Sequence, residues 1–264
     1  MTNLIGHNFK KNNKKLVTFV TGGDPDFETS NAIIKTIIQN QTDIIEIGMP
    51  FSDPMADGPT IQLSSNRAIN NGTDLNMIFK IVSKAKTINS KIPIILMGYY
   101  NLILHYGISN FVSDCVNNGV DGLIIVDLQP EEDEDLLFEL KKNNIALIRL
   151  ITPTTDEKRL KLILKNASGF LYFVSVMGTT GQKSANINEL KKSIDFIKKH
   201  TDMPVIPGFG IKNSEDVNNV CKIADGAVVG SSIIKIIEEN LDNKELMIQK
   251  IDNFTKELKK ATLI

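Results

Sequence analysis

Two carboxylates and two glycine-containing turns are the parts of this chain best suited to chemistry. Glu46 lies in the apolar run Ile44-Ile45-Glu46-Ile47-Gly48, two residues from its end. Strand alternation directs such a side chain toward the interior or the layer beneath the helices, and both are largely dry. Either the carboxylate is satisfied there by a hydroxyl or an arginine, or burial raises its pKa and it exchanges protons near neutral pH. Its position near the strand end favours the second reading. Asp57 belongs to Phe51-Ser52-Asp53-Pro54-Met55-Ala56-Asp57-Gly58-Pro59-Thr60, where Asp-Pro and Asp-Gly steps form turns. Asp53 reads as a turn residue, and so does Asp24, with Pro25 starting the first helix. Gly208-Phe209-Gly210 and Gly230-Ser231-Ser232 each follow an apolar run, and the second opens a helix. Glycines let backbone N–H groups approach an anion, and a helix N-terminus adds favourable partial charge, so the pair reads as a phosphate cradle.

Positioning these groups requires a frame, and the frame is periodic. Apolar β-branched runs occur at 16–21, 44–48, 92–97, 122–126, 145–151, 170–176, 204–207 and 226–230, with amphipathic stretches between them. Runs this continuously apolar indicate strands buried on both faces, as in parallel sheets. Eight repeats without a composition break favour a (β/α)8 barrel over an open doubly wound sheet, as one domain over residues 1–264. Extra helices are expected at the N-terminus and in the loops, because 49–71 is too long for an ordinary connection. A second long loop covers 178–187, and 245–260 reads as the last barrel helix. Barrel sites gather at the C-terminal strand ends, which adds Tyr99, Tyr100, Asp127 and Tyr172 as candidate pocket residues.

Composition narrows the chemistry. The chain has 264 residues, 42% of them hydrophobic, and a formal net charge of −1, so no basic excess points to nucleic acid. No apolar run reaches the roughly 20 residues that span a bilayer, and the N-terminus lacks the apolar core of a secretion signal. Cys115 and Cys221 read as buried thiols of a reducing compartment, so a cytoplasmic location is expected. No cysteine or histidine spacing suggests a metal. No lysine stands at a strand end for Schiff-base chemistry, and none of His7, His105 and His200 is placed to serve as a barrel base.

The run Asp43-Ile44-Ile45-Glu46-Ile47-Gly48-Met49-Pro50-Phe51-Ser52-Asp53-Pro54-Met55-Ala56-Asp57-Gly58-Pro59-Thr60-Ile61-Gln62 resembles the signature of the tryptophan synthase alpha subunit family. Agreement extends to 19–25, 99–103, 122–132, 178–181, 207–211 and 228–237, nearly the whole chain. The resemblance implies retro-aldol cleavage of indole-3-glycerol phosphate to indole and glyceraldehyde 3-phosphate. By position it makes Glu46 the acid/base and Asp57 the partner of the indole N–H. It gives Phe19, Ile61 and Phe209 to the indole slot, puts Tyr172 near Glu46, and assigns the phosphate to Gly181, Gly210, Gly230 and Ser231.

It further implies an alpha2beta2 complex with a beta subunit that carries pyridoxal phosphate and receives the indole; no cofactor is expected in this chain. Thr180 belongs to the family's lid, and the loop at 53–60 faces the partner. Many members carry an arginine in Ser-Arg-x-Gly-x-Thr-Gly, where this chain reads Ser175-Val176-Met177-Gly178-Thr179-Thr180-Gly181. That departure bears on lid closure and coupling, not on cleavage. Two alternatives stay open: a lyase that acts alone and releases indole, and a non-catalytic subunit that binds a phosphate ligand and activates its mate.

Overall fold

A computed structural model describes residues 4–10, 13–174, 183–208 and 210–264. The strands are β1 (Lys15–Thr21), β2 (Ile44–Gly48), β3 (Ile94–Gly98), β4 (Gly122–Ile125), β5 (Ala146–Leu147), β6 (Arg149–Ile151), β7 (Leu171–Val174), β8 (Val205–Gly208) and β9 (Gly226–Val229). All pairings are parallel, in the orders β5-β4-β3-β2-β1-β9 and β6-β7-β8. The chain is a (β/α)8 barrel in which the fifth apolar run, expected as one strand, is broken at Ile148. Its first half pairs with β4 and its second with β7. Beside the break, the buried Arg149 guanidinium pairs with Asp133 and donates to the Leu128 carbonyl. β8 meets β9 through Asp225, whose N–H donates to the Val205 carbonyl and whose carboxylate accepts the Val205 N–H.

The helices are α1 (Leu4–Asn8), α2 (Phe27–Gln39), α3 (Pro59–Asn70), α4 (Leu75–Ile88), α5 (Tyr100–Tyr106), α6 (Ile108–Asn118), α7 (Glu134–Lys142), α8 (Glu157–Lys165), α9 (Lys183–Lys198), α10 (Ser214–Cys221), α11 (Ser231–Glu238) and α12 (Lys244–Ala261). Eight of them form the outer ring; α1, α3, α5 and α11 are additions. Five of the ring helices begin where a short polar side chain satisfies a first-turn amide. Asp26, Asp74, Asp156, Asn213 and Asn243 each accept a backbone N–H three residues on. The first ring helix thus starts at Phe27 with Asp26 as its cap, not at Pro25.

Strand alternation separates two apolar layers. Outward side chains meet the amphipathic helices, while Val17, Ile44, Ile95, Ile124, Ile148, Tyr172, Ile206 and Val228 fill the barrel. Ile5 of α1 joins this inner cluster and is fully buried, so the N-terminal helix plugs the barrel. The plug leaves the opposite end, where the strands finish, for a site. We expect Ile5→Ala to lower the unfolding free energy by about 2–4 kcal/mol, the usual cost of emptying a buried aliphatic position. Urea titration measures it, and a change near zero would show that α1 does not close the barrel.

Candidate active site

A cavity of about 280 Å³ opens at the C-terminal ends of the strands, lined by Phe19, Glu46, Asp57, Ile61, Tyr172, Gly210, Gly230 and Ser231 among others. Its floor is set by register. Glu46 stands between Phe19 of β1 and Ile95 of β3 and shares the inward face with Ile44. The glutamate is fully buried, and neither carboxylate oxygen has a hydrogen-bond partner among the described residues. Burial, reinforced by the negative charge of Asp57, pushes its pKa up to about 8. At neutral pH this carboxyl therefore holds its proton.

Two aromatic rings give the floor its shape, and both lie where neighbouring strands lack side chains. A Cβ on Gly208 would come within 2.1 Å of the Tyr172 hydroxyl, and one on Gly48 within 2.7 Å of the Phe19 ring. Burial and the neighbouring Glu46 hold the Tyr172 phenol well above its ordinary pKa, so it stays a neutral wall.

Asp57 approaches from the loop between β2 and α3 and is only partly buried. Burial raises its pKa, and a hydrogen bond from the Tyr99 hydroxyl opposes that rise. The same Tyr99 oxygen accepts the Ala56 N–H at 3.1 Å, and its ring lies 5.2 Å from that of Phe51. Tyr99 is thus a post for the loop and is absent from the lining of the main cavity. The helix that follows the loop is fastened independently. Arg67 donates to both oxygens of the buried Asp24 at 2.8 Å, and Ser64 donates to the same carboxylate at 2.8 Å. Asp24, expected as a turn residue, instead ties α3 to the turn after β1.

The structure moves one further expectation. Asp127 lies outside the main cavity and is exposed, with its carboxylate accepting the Tyr100 N–H at 2.8 Å in the first turn of α5. Asp53 is an exposed loop residue hydrogen-bonded by Ser52. Thr180, Gly181, Phe209 and the 175–181 lid segment lie outside the described residues. The sequence reading did not single out Met97, Gly58, Ile211, Lys212 and Val228 for the cavity, whereas Ser232 of the expected cradle does line it. Lys212 lies four residues past the end of β8 and just before α10, where the approach to a helix start is the signal for it.

One end of the cavity is lined by the turns at 210–212 and 230–232. Gly210 has φ +76°, and α11 is preceded by Gly230 at its cap position, with no side-chain cap and no acidic residue in its first turn. The start of α11 is therefore open to an incoming anion, whereas α10 beside it is occupied by its own Asn213 cap. Among the described residues no group of three or more His, Cys, Asp or Glu is arranged to hold a metal, and no helix is long and apolar enough to cross a membrane. Cys115 and Cys221 are buried free thiols.

Glu46 leaves a signature in stability. Its pKa is raised from 4.5 to about 8 in the folded chain, so its favourable contribution is present below 4.5 and lost as pH rises through about 8. Glu46→Gln removes that loss. The variant should gain stability relative to the parent chain between about pH 5 and about pH 9, as read from denaturant midpoints. Parallel pH profiles would show that the buried carboxyl has an ordinary pKa.

Comparison with known proteins agrees with this geometry. A family model described as "Tryptophan synthase alpha chain" matches residues 6–263. A tryptophan synthase alpha chain from Petrotoga mobilis is 46% identical over 249 residues, covering 94% of this chain and 96% of the relative. One from Geotalea uraniireducens is 46% identical over 230 residues, covering 87% and 86%. The crystal structure of tryptophan synthase subunit alpha from Legionella pneumophila str. Paris superposes with a TM-score of 0.92 at 32% identity and 99% coverage of both chains.

Proposed function

The chain belongs to the tryptophan synthase alpha chain family, and from that premise we propose that it cleaves indole-3-glycerol phosphate to indole and glyceraldehyde 3-phosphate by a retro-aldol reaction. The observation that carries the reading is the Glu46 carboxyl, neutral at pH 7 and without hydrogen-bond partners among the described residues, in one cavity with Asp57 and the uncapped start of α11.

The reaction needs a proton on indole C3, a counter-charge for the ring nitrogen, and removal of a hydroxyl proton from the glycerol carbon. Protonated Glu46 supplies the first by donating to C3, which turns the indole into an indolenine cation. Asp57, as a carboxylate, accepts the indole N–H and offsets the positive charge that grows there. Glu46, now ionised, takes the hydroxyl proton; that oxygen's electron pair forms the aldehyde as the carbon–carbon electrons return to the ring. The proton given equals the proton recovered, so one carboxyl completes the cycle. A pKa near neutrality suits a group that must both give and take.

Phe19, Ile61 and Met97 line the cavity as an apolar slot for the indole, and the family resemblance adds Phe209 to it. The amides at Gly210, Gly230 and Ser231, with Gly181 from the lid segment, hold the phosphate. The site fixes the two ends of the substrate with different forces: burial for the ring and aligned dipoles for the anion.

The products point to a partner. Indole is small and apolar, and a beta subunit carrying pyridoxal phosphate, in an alpha2beta2 assembly, would receive it for tryptophan synthesis. The surface around Asp57 supports this, since Met55 is 81% and Leu63 49% exposed on the same loop and helix. The reading puts the enzyme in the cytoplasm, where the thiols of Cys115 and Cys221 stay reduced.

The test is indole release from indole-3-glycerol phosphate by the purified chain, alone and with a beta subunit. Glu46→Gln should lower kcat by about 10²- to 10⁴-fold, since no neighbouring group replaces the proton carrier. Asp57→Asn should cost about 10²-fold through lost stabilisation of the cation. Unchanged turnover in Glu46→Gln would sink the acid/base role. Stimulation by the partner separates the assembly from a lyase that acts alone, and absence of any cleavage leaves the non-catalytic subunit.

A further inference from the structure

We propose that Lys212 is a specificity-determining residue for the phosphate group, supplying a full positive charge where the backbone supplies only partial ones. The inference rests on the phosphate-ester reading of the cavity. It begins with charge. The cavity wall carries two carboxyl groups, and the ligand brings a phosphate that is largely dianionic at neutral pH. Against that stand backbone amides and one helix start, equivalent to about half an elementary charge. Lys212 is the single basic side chain on that wall among the described residues.

Its placement is built by the chain around it. Gly210, in the left-handed region, turns the backbone after β8, and the buried Ile211 anchors the segment in the core. The Lys212 N–H then donates to Asp216 Oδ2 at 3.0 Å, while Asn213 caps α10. The backbone of Lys212 is thereby fixed beside the uncapped start of α11. Its side chain is exposed, and its ammonium makes no ion pair or hydrogen bond with a described residue. Other lysines near strand termini are engaged differently: Lys86 pairs with Asp121, Lys198 with Asp225 and Lys259 with Asp43. Those three tie the frame together. Lys212 has no such partner among the described residues.

An amide cradle recognises the shape of a tetrahedral anion, and a point charge weights its total charge. Lys212 therefore biases the site toward dianionic phosphate esters and against singly charged or uncharged glycerol ends. A contact at an exposed rim is screened, so its contribution is modest and depends on salt.

Calorimetric titration of inorganic phosphate into the full chain, comparing the parent, Lys212→Ala and Lys212→Arg at low and high salt, tests the assignment. Lys212→Ala should weaken phosphate binding about fivefold and flatten its salt dependence, while Lys212→Arg stays within about twofold of the parent. The KM for indole-3-glycerol phosphate should rise in parallel, with the loss in kcat/KM carried by KM. Phosphate affinity and salt dependence equal to the parent's in Lys212→Ala would overturn the proposal and leave Lys212 a solvated surface residue. A parent chain that binds phosphate yet cleaves no indole-3-glycerol phosphate would contradict the proposed reaction, while the phosphate titrations still decide Lys212. A parent chain that binds no phosphate would overturn the role of Lys212 along with the phosphate cradle.

Discussion

The desolvated carboxyl of Glu46 sets the terms for the rest of the barrel mouth. Taking an ionisable group out of water without a compensating hydrogen bond is among the larger costs a fold can bear, and the group responds by keeping its proton. Glu46 meets both conditions, fully buried and without a partner for either oxygen among the described residues. A rigid strand is what makes this possible: β2 is paired on both sides, so the side chain cannot turn away to solvent without disturbing the register. The strain of burial thus becomes a proton held ready.

Asp57 is governed by a different balance. It rides a loop, is only partly buried, and owes its position to contacts from elsewhere in the chain. Tyr99 of the β3–α5 junction holds the loop through its hydroxyl, and the Asp24–Arg67–Ser64 cluster fixes the helix that follows. A buried, bidentate arginine–carboxylate pair is costly to break because the surviving charge is left without a partner. The cluster therefore acts as a rigid anchor some ten residues beyond Asp57. The two carboxylates are unequal by construction, one set by the sheet and one by a tethered loop, and their charges are coupled across the cavity.

Much of this was legible in the residues alone. Strands buried on both faces announce themselves as continuous apolar runs, and eight of them with helical stretches between gave the barrel. Glu46 stood out because a charge among isoleucines demands an explanation. Other features depend on partners far away in sequence. Asp24 looks like a turn former until Arg67, 43 residues on, is seen to grip it. Asp127 met the rule for strand-end residues, yet an amide of α5 claims its carboxylate. The break at Ile148 is hidden inside an unbroken apolar run, because pairing with β4 on one side and β7 on the other leaves no mark in hydropathy. Lys212 carries no strand-end signal for a simpler reason: it lies four residues past Gly208, in the approach to α10.

The proposed cleavage depends on the protonation state of one side chain. Carbon-13 NMR of the glutamate carboxyls, with Glu46→Gln used to assign the Glu46 signal, reads that state directly. A carboxyl that stays neutral through pH 7 and titrates near 8, moving downward when Asp57 is replaced by Asn, is the predicted result. A Glu46 signal that titrates near the ordinary value of 4.5 would contradict a proton held ready at neutral pH.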